Sequence, residues 1–293
     1  MTATVSRPFA PVRRASTQNR ARWVPTIILV VGAIYALIPV AWVFVASSKA
    51  PGELFSSFTF APGTGLWDNL VALFSYSDGA YLMWAGNSLL YAGVGGVLST
   101  LVSAAAGYAL AKFDFVGGRI FFVALLVGLL IPGITLAVPQ YLLLSDLHLA
   151  GTQLSVLLPS IISPFGIYLC KVYAQGAIPG EMLEAARIDG ASEFRIFRGV
   201  VLPLMFPGMV TVFLLQFVGI WNNFLLPYIM LSSTNTFPLT VGLNSLLDRG
   251  SGSPALYSLA IIGAAVAILP LIALVLFLQR FWRLDLIAGG VKG

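Results

Sequence analysis

Charged residues are rare along this chain and lie far apart. Six stretches of 24 to 49 residues contain no Asp, Glu, Lys or Arg, and each is rich in aliphatic and aromatic side chains. A helix needs about 20 apolar residues to cross the hydrocarbon core of a bilayer, so each stretch has room for one span. The pattern predicts six membrane-spanning helices, near residues 24–46, 83–111, 119–141, 152–174, 205–230 and 256–280.

The longest uncharged stretch, between Arg198 and Asp248, has room for two spans. Its second half, SSTNTFPLT, is polar and contains Pro238, which favours one span followed by a loop. Across the 293 residues, 58% are hydrophobic and 9% are charged, and the mean hydropathy is +0.93. This composition excludes an ordinary soluble core, and the continuous apolar runs lack the alternation of a β-barrel. The predicted fold is an all-α membrane protein.

Basic residues are distributed unevenly between the segments that connect the predicted spans. With the N-terminus inside the cell, 14 of the 16 Lys and Arg residues lie on cytoplasmic segments, and Lys49 and Arg249 lie outside. This bias predicts that both termini are cytoplasmic. Residues 1–22 are expected to form a flexible basic tail, and the apolar run after them is long enough for a retained span rather than a signal peptide. The net charge of +5 therefore requires no nucleic-acid partner.

The sequence lacks the residue patterns of an enzyme or of an energy-converting domain. The phosphate-binding pattern GxxxxGK[ST] is absent, because no Gly-Lys pair occurs in the chain. With one cysteine, Cys170, and one histidine, His148, neither an internal disulfide nor a His/Cys metal cluster is expected. We expect no catalytic residue, no metal and no cofactor bound to this chain.

Neutral polar residues are the candidates for lining a transport path. No Asp, Glu, Lys or Arg lies deep inside a predicted span, whereas ion-coupled carriers usually keep such a charge for the coupling ion. Amide and aromatic side chains suit hydroxyl-rich solutes, because amides donate and accept hydrogen bonds and aromatic faces stack on sugar rings. For each residue, hydrogen bonding between helices is at least as good an interpretation. The candidates are Asn87, Gln140, Tyr141, Gln216, Trp221, Asn222 and Asn223.

Two predicted spans carry residues that indicate how the helices pack. Pro132 and Pro139 lie in the third span, where proline kinks a helix and frees carbonyl groups. The second span has small residues at strict four-residue spacing, which let a neighbouring helix approach closely, and simple bundle packing is the favoured interpretation. These small residues are Gly95, Ser99, Ser103, Gly107 and Ala111.

A charged segment, residues 175–204, interrupts the apolar pattern between the fourth and fifth spans. Seven of the chain's 27 charged residues lie within Glu181–Arg198. The run EMLEAARI favours a helix with Glu181 in its first turn, and Gly190 suits a left-handed cap at its end. Ser192 is a suitable N-cap for a second helix. The segment is therefore predicted to be a cytoplasmic helix–turn–helix.

Two interpretations of this helix–turn–helix are open. Phe194, Phe197 and Val201 lie at helical spacing and predict one apolar face, as an anchor on the membrane surface would have. The small residues around Ala185 and Gly190 instead allow a partner's backbone to approach closely. Because an anchor would have large apolar residues there, the turn favours docking of a cytoplasmic partner.

The stretch EAARIDGASEFRIFRGVVLP resembles the EAA loop of binding-protein-dependent ABC importer permeases. That pattern is Glu-Ala-Ala, three residues, Gly, nine residues, an aliphatic residue, one residue, Leu-Pro, and Val200 stands where Ile is usual. The stretches IPGITLAVPQYLLLSDLHLAGTQLSVLLP, IWNNFLLPYIML, TFPLTVGL and the terminal AGGVKG are similar to MalG-type permeases of the carbohydrate-uptake class. The resemblance covers about residues 24–293.

The resemblance implies a subunit of an ATP-driven sugar importer in the bacterial plasma membrane. Its expected partners are a second homologous permease, two copies of an ATPase that binds ATP and Mg, and an extracytoplasmic solute-binding protein that delivers the sugar. The loop 232–255 is expected to contact the solute-binding protein. The expected ATPase-docking residues, with Glu184 as the ion-pairing one, are Glu184, Ala185, Ala186, Asp189, Gly190 and Ala191. The tail expected to reach the ATPase is Gly289, Gly290, Val291, Lys292 and Gly293.

Two alternatives remain at this point. A glycerol-phosphate or other polyol importer of the same class has a very similar permease. An ion-coupled secondary carrier is a more distant alternative, disfavoured by the missing charges within the spans and by the docking segment.

Overall fold

The computed structural model describes residues 23–56, 59–249 and 253–289, and the predicted tail at 1–22 lies outside them. These residues form helices joined by short turns, and no strand occurs among them. A π-helical turn, Phe197–Val201, and a 3₁₀ turn, Thr234–Thr236, complete the secondary structure. The helices are α1 Trp23–Ser47, α2 Glu53–Ser56, α3 Leu66–Ser75, α4 Ala80–Lys112, α5 Gly118–Leu130, α6 Gly133–Asp146, α7 Leu154–Ile161, α8 Pro164–Ala177, α9 Gly180–Ile188, α10 Glu193–Ile196, α11 Leu202–Trp221, α12 Leu225–Met230, α13 Leu239–Arg249 and α14 Pro254–Gly289.

Within the part of the chain that the structure describes, five helical stretches are long and apolar enough to cross a membrane. A bent pair of helices, α5 and α6, raises the number to six if the pair is one span. These stretches agree with the predicted all-α membrane fold. The five are Trp23–Ser47, Ala80–Lys112, Leu154–Ala177, Glu193–Trp221 and Pro254–Phe281.

The third predicted span, 119–141, differs most from its expected form. One kinked helix was predicted, whereas the chain forms α5 and α6 with an angle of 107° between them. The break lies at Ile131, which has φ −79° and ψ 118°. Proline disfavours helical geometry in the residue before it, so Pro132 forces Ile131 into an extended conformation. The same effect before Pro164 separates α7 from α8, where Ser163 has φ −120° and ψ 105°.

The fifth predicted span also has different bounds. The sequence predicted 205–230, but the apolar helical stretch begins at Glu193 and ends at Trp221. Asn222 and Asn223 turn the chain, and Leu225–Met230 forms a separate short helix. The helices α10 and α11 are joined without a break through the π-helical turn, so residues from Glu193 onward run directly into the span.

The small-residue face of α4 packs as predicted, against α8 and α11. A Cβ added to Gly107 would lie 2.6 Å from the Cys170 Cβ and 2.6 Å from the Lys171 backbone nitrogen, so the two helix backbones are in close contact. At Gly95 an added Cβ would lie 3.2 Å from the Ile220 side chain on α11. The four-residue spacing therefore lets α4 form the centre of the bundle.

The two ends of α4 hold different structures. At its C-terminal end, Lys112 donates a hydrogen bond of 2.6 Å to the carbonyl oxygen of Ile178, just before α9. A buried apolar cluster there joins α4, α8, α9 and α11 through residues including Tyr108, Ile178 and Leu183. At its N-terminal end, α4 instead contacts the segment 234–239. The charged segment and the loop at 234–239 thus lie at opposite ends of the bundle.

Candidate functional site

The charged segment, residues 175–204, is called the docking loop after the role that the sequence predicts for it. Its first helix, α9, begins after Pro179 and has Glu181 in its first turn, where a carboxylate stabilises the positive helix end. The helix ends in the Schellman arrangement: Gly190 N–H donates to the Arg187 carbonyl oxygen and Ala191 N–H to that of Ala186, both at 3.0 Å. Gly190 has φ +76°, the left-handed conformation that the sequence predicted.

The docking loop has one buried side and one exposed side. Leu183 is buried in the cluster that joins α4, α8 and α11, and this contact anchors α9 to the spans. Ala186 and Ala191 are partly buried beside it. Four of the six predicted docking residues, Glu184, Ala185, Asp189 and Gly190, are exposed. The exposed apolar side chain of Ile188, at 86%, adds to this surface.

The second helix of the docking loop differs from its prediction in two respects. Ser192 occupies the N-cap position of α10, but its side chain makes no capping hydrogen bond. Phe194 is 74% exposed while Val201 is fully buried, so the two do not share the predicted apolar face. The π-helical turn between them shifts the helical register, and Ile196 takes the buried position instead.

A second candidate site is a cleft of about 430 Å³, here called the central cleft. It lies between α6, the α7–α8 break and the end of α11, and most of its lining is apolar. Its polar lining comprises Gln140, Ser160, Ser163, Gln216 and Asn223. The breaks in the spans border the cleft, because Pro164 and the first turn of α6, which follows Pro132, both line it.

One hydrogen-bond network links the helices at this cleft. Ser163 caps α8, because its Oγ accepts a hydrogen bond of 3.0 Å from the Gly166 N–H. The same Oγ accepts a hydrogen bond of 2.7 Å from Gln216 Nε2, which joins α8 to α11. The Gln216 amide oxygen and the Gln140 amide remain able to bind other groups in the cleft.

The structure brings three of the seven predicted path residues together and leaves four apart. Gln140, Gln216 and Asn223 line the central cleft. Tyr141 is on α6 but outside the cleft lining. Trp221 is buried and stacks on Phe217 with ring centroids 5.6 Å apart. Asn222 is exposed and its Nδ2 donates to the Val218 carbonyl oxygen at 2.9 Å.

The seventh predicted path residue, Asn87, lies away from the central cleft and contacts the loop at 234–239. Its Nδ2 donates to the carbonyl oxygens of Asn235 at 2.8 Å and Phe237 at 3.0 Å. Neighbouring α4 side chains bind the same segment: Trp84 Nε1 donates to Thr234 O at 3.2 Å and Tyr91 Oη to Thr236 O at 2.8 Å. Both amide hydrogens of Asn87 are therefore used on the loop backbone.

The sequence analysis did not predict these hydrogen bonds between α4 side chains and the backbone of the loop at 234–239. The signal was present, because Trp84, Asn87, Ser88 and Tyr91 follow the i, i+3, i+4, i+7 spacing of one helix face. The partner, however, is backbone about 150 positions away, and no local pattern identifies it. Because these hydrogen bonds use the loop backbone, the side chains of 232–235 stay exposed at the end of the bundle.

Two further expectations concern groups that bind metal or an ATPase. Among the described residues, no group of three His, Cys, Asp or Glu side chains is placed to hold a metal ion. Gly289 is the last residue of α14, and the remaining predicted tail residues lie outside the described part of the chain. These are Gly290, Val291, Lys292 and Gly293.

The chain is similar to known membrane transport proteins over nearly its whole length. It is 37% identical to the arabinooligosaccharides transport system permease protein AraQ of Halalkalibacterium halodurans, over 92% of this chain and 96% of that protein. It is 30% identical to the lactose transport system permease protein LacG of Rhizobium radiobacter, over 86% of this chain and 90% of that protein.

A solved structure has the same fold. One chain in the crystal structure of a bacterial ABC transporter involved in the import of the acidic polysaccharide alginate matches with a TM-score of 0.76 at 23% identity, covering 94% of this chain and 99% of that chain. The family model for the binding-protein-dependent transport system inner membrane component matches residues 103–283, which include the docking loop and the central cleft. On this evidence the chain belongs to the family of binding-protein-dependent transport system inner membrane components.

Proposed function

We propose that this chain is the permease subunit of an ATP-driven importer of a sugar or oligosaccharide, and that its docking loop receives a cytoplasmic ATPase. The observation that carries the proposal is the docking loop itself. A capped helix presents an exposed surface of small and acidic residues, and its other side is buried against membrane spans. A force applied at Ala185 or Gly190 is thereby transmitted to the spans.

The rest of the assembly follows from the family. A second, homologous permease completes the path, two ATPase copies bind ATP and Mg, and a solute-binding protein delivers the solute at the other face of the bacterial plasma membrane. The exposed loop at 232–235 is at the opposite end of α4 from the docking loop, as contact with an external protein requires. Apolar side chains along α1, such as Leu29 and Tyr35, are exposed and suit lipid or a partner helix.

A sugar is favoured over glycerol-phosphate by the chemistry of the central cleft. Among the described residues that line it, amide and hydroxyl groups supply the polarity and none is charged. A phosphate group is usually bound by a basic side chain or a helix N-terminus. The first turns of α6 and α8 border the cleft, but none of the described residues that line it is basic. AraQ and LacG, by their names, belong to transport systems for arabinooligosaccharides and lactose.

Uptake by the reconstituted complex tests the substrate class. The chain, its partner permease, the ATPase and the binding protein are placed in proteoliposomes with a labelled oligosaccharide. We expect ATP-dependent uptake that unlabelled oligosaccharide inhibits and glycerol 3-phosphate does not. Uptake of labelled glycerol 3-phosphate, with no uptake of the oligosaccharide, would identify the polyol-phosphate alternative.

Thiol labelling tests the docking surface. Cys170 is the single cysteine of the chain and is buried, so an Ala185→Cys variant gains one reactive thiol. A maleimide is expected to label it in the permease alone and to be blocked when the ATPase is bound. The matched control is Asn235→Cys, exposed at the other end of α4, which should react in both states. Equal labelling of Ala185→Cys with and without ATPase would refute docking at this surface.

A further inference from the structure

Arg187 lies where α9, α10 and the C-terminal end of α4 meet. Its Nε donates a hydrogen bond of 2.7 Å to Glu193 Oε1, and its Nη2 lies 3.4 Å from Glu193 Oε2. This two-point contact spans the turn at Gly190 and joins α9 to α10. The guanidinium carbon also lies 5.8 Å from the centroid of the Phe113 ring, within the range of a cation–π contact.

The Phe113 ring continues the connection into the spans. Phe113 is the C-cap residue that follows α4, and its ring meets the Tyr108 ring edge-on with centroids 5.3 Å apart. Tyr108 in turn contacts Phe197, at 5.8 Å, in the π-helical turn that leads into α11. One guanidinium therefore contacts α9, α10 and the end of α4, and aromatic contacts extend this group to α11.

We propose that Arg187 is a positioning residue that holds the two helices of the docking loop and the end of α4 as one rigid unit. The proposal rests on the proposed function, because its role is to carry motion from the surface at Ala185 and Gly190 into α11. Without the contacts of Arg187, α9 would rotate at Gly190 relative to α10, and less of the movement imposed by the ATPase would reach α11. ATP would then be hydrolysed with less movement of the span.

The contact between Arg187 and Glu193 fixes the orientation of α9 relative to α10 and contributes little to the free energy of unfolding. Both side chains are about half exposed, at 41% and 51%, and exposed ion pairs contribute little to unfolding free energy. The planar guanidinium fixes direction as well as distance, because two of its N–H groups face one carboxylate. Arginine stays protonated in proteins, and the hydrogen bond with Glu193 raises the pKa of Arg187 further.

The test compares coupling in variants of the complete transporter in proteoliposomes. Arg187→Gln and Glu193→Gln each remove the ion pair, and Arg187→Glu combined with Glu193→Arg restores it in reverse. Arg119→Gln is the matched control, since it removes one exposed arginine near the same end of α4 but outside the docking loop. Solute uptake and ATP hydrolysis are measured together, with hydrogen exchange of residues 184–191 as a second readout.

We expect the ATP hydrolysed per solute imported to rise in both single variants, because loss of an exposed ion pair shifts the opening equilibrium of α9 by roughly two- to fivefold. Backbone exchange at 184–191 should accelerate, and the reversed pair should recover part of both effects. Arg119→Gln should match the wild type. A single variant with unchanged coupling and exchange would overturn the proposal, as would a reversed pair no better than either single variant.

Measurements on the wild-type complex distinguish failure of the inference about Arg187 from failure of the proposed function. If the wild-type complex fails to bind an ATPase or to import solute with ATP, the proposed function itself is wrong. If the wild type and the Arg187 variants couple ATP hydrolysis to solute uptake equally well, only the inference about Arg187 is wrong.

Discussion

Gly190 closes α9 in a backbone conformation that other residues adopt at a cost. Replacing it by Ala should cost about 1–2 kcal/mol in the turn, because Cβ disfavours a positive φ. No atom lies within 4 Å of an added Cβ, so the cost is conformational and not steric. We predict that Gly190→Ala lowers coupled uptake in proteoliposomes while the spans still fold.

Gly199 supplies the control for this variant. It is in the same loop, has open space around an added Cβ and has no positive φ. Gly199→Ala should therefore leave uptake unchanged. Equal uptake by the two variants would show that the left-handed turn at Gly190 is not needed for docking.

Single residues also mark the limit of sequence reasoning. The left-handed turn at Gly190 was predictable because helix capping depends on neighbours within a few positions. Asn87 was predicted as a possible path residue, and its amide instead holds the loop backbone at Asn235 and Phe237. An isolated Asn in a span reveals that a partner is needed but does not reveal which one.

At the scale of helices, the contact between α4 and α8 depends on the absence of a side chain at Gly107. An added Cβ would lie 2.6 Å from both the Cys170 Cβ and the Lys171 backbone nitrogen, and backbone cannot move aside cheaply. We predict that Gly107→Ala destabilises the protein by about 1–3 kcal/mol, as overpacking does. The thermal unfolding midpoint in detergent measures this.

Gly93, on the same helix, has no atom within 4 Å of an added Cβ. Gly93→Ala should leave the midpoint unchanged or raise it slightly, because Ala favours helix more than Gly does. A midpoint for Gly107→Ala as high as that of Gly93→Ala would contradict the close backbone contact between α4 and α8.

For the whole molecule, the positions of the charged residues indicate whether ATP or an ion gradient drives transport. The described spans carry their Asp, Glu, Lys and Arg residues near helix ends, as Lys112 and Glu193 do. A coupling ion would need a counter-charge further inside. We predict that uptake by the reconstituted complex requires ATP and continues when a protonophore collapses the proton gradient.

The control for this experiment is a complex whose ATPase subunits cannot hydrolyse ATP. It should import nothing, with or without an imposed ion gradient. Uptake driven by such a gradient in the absence of ATP would instead support the secondary-carrier alternative.

Hydropathy and local caps were enough to predict the membrane class, the approximate spans and the capped helix at 180–190. These features depend on residues close together in the chain, so the printed sequence contains the information for them. The tertiary arrangement was needed for the 107° bend at Ile131 and for the grouping of Gln140, Gln216 and Asn223. Such contacts depend on how distant helices rotate and slide against each other, and packing over the whole bundle sets those positions.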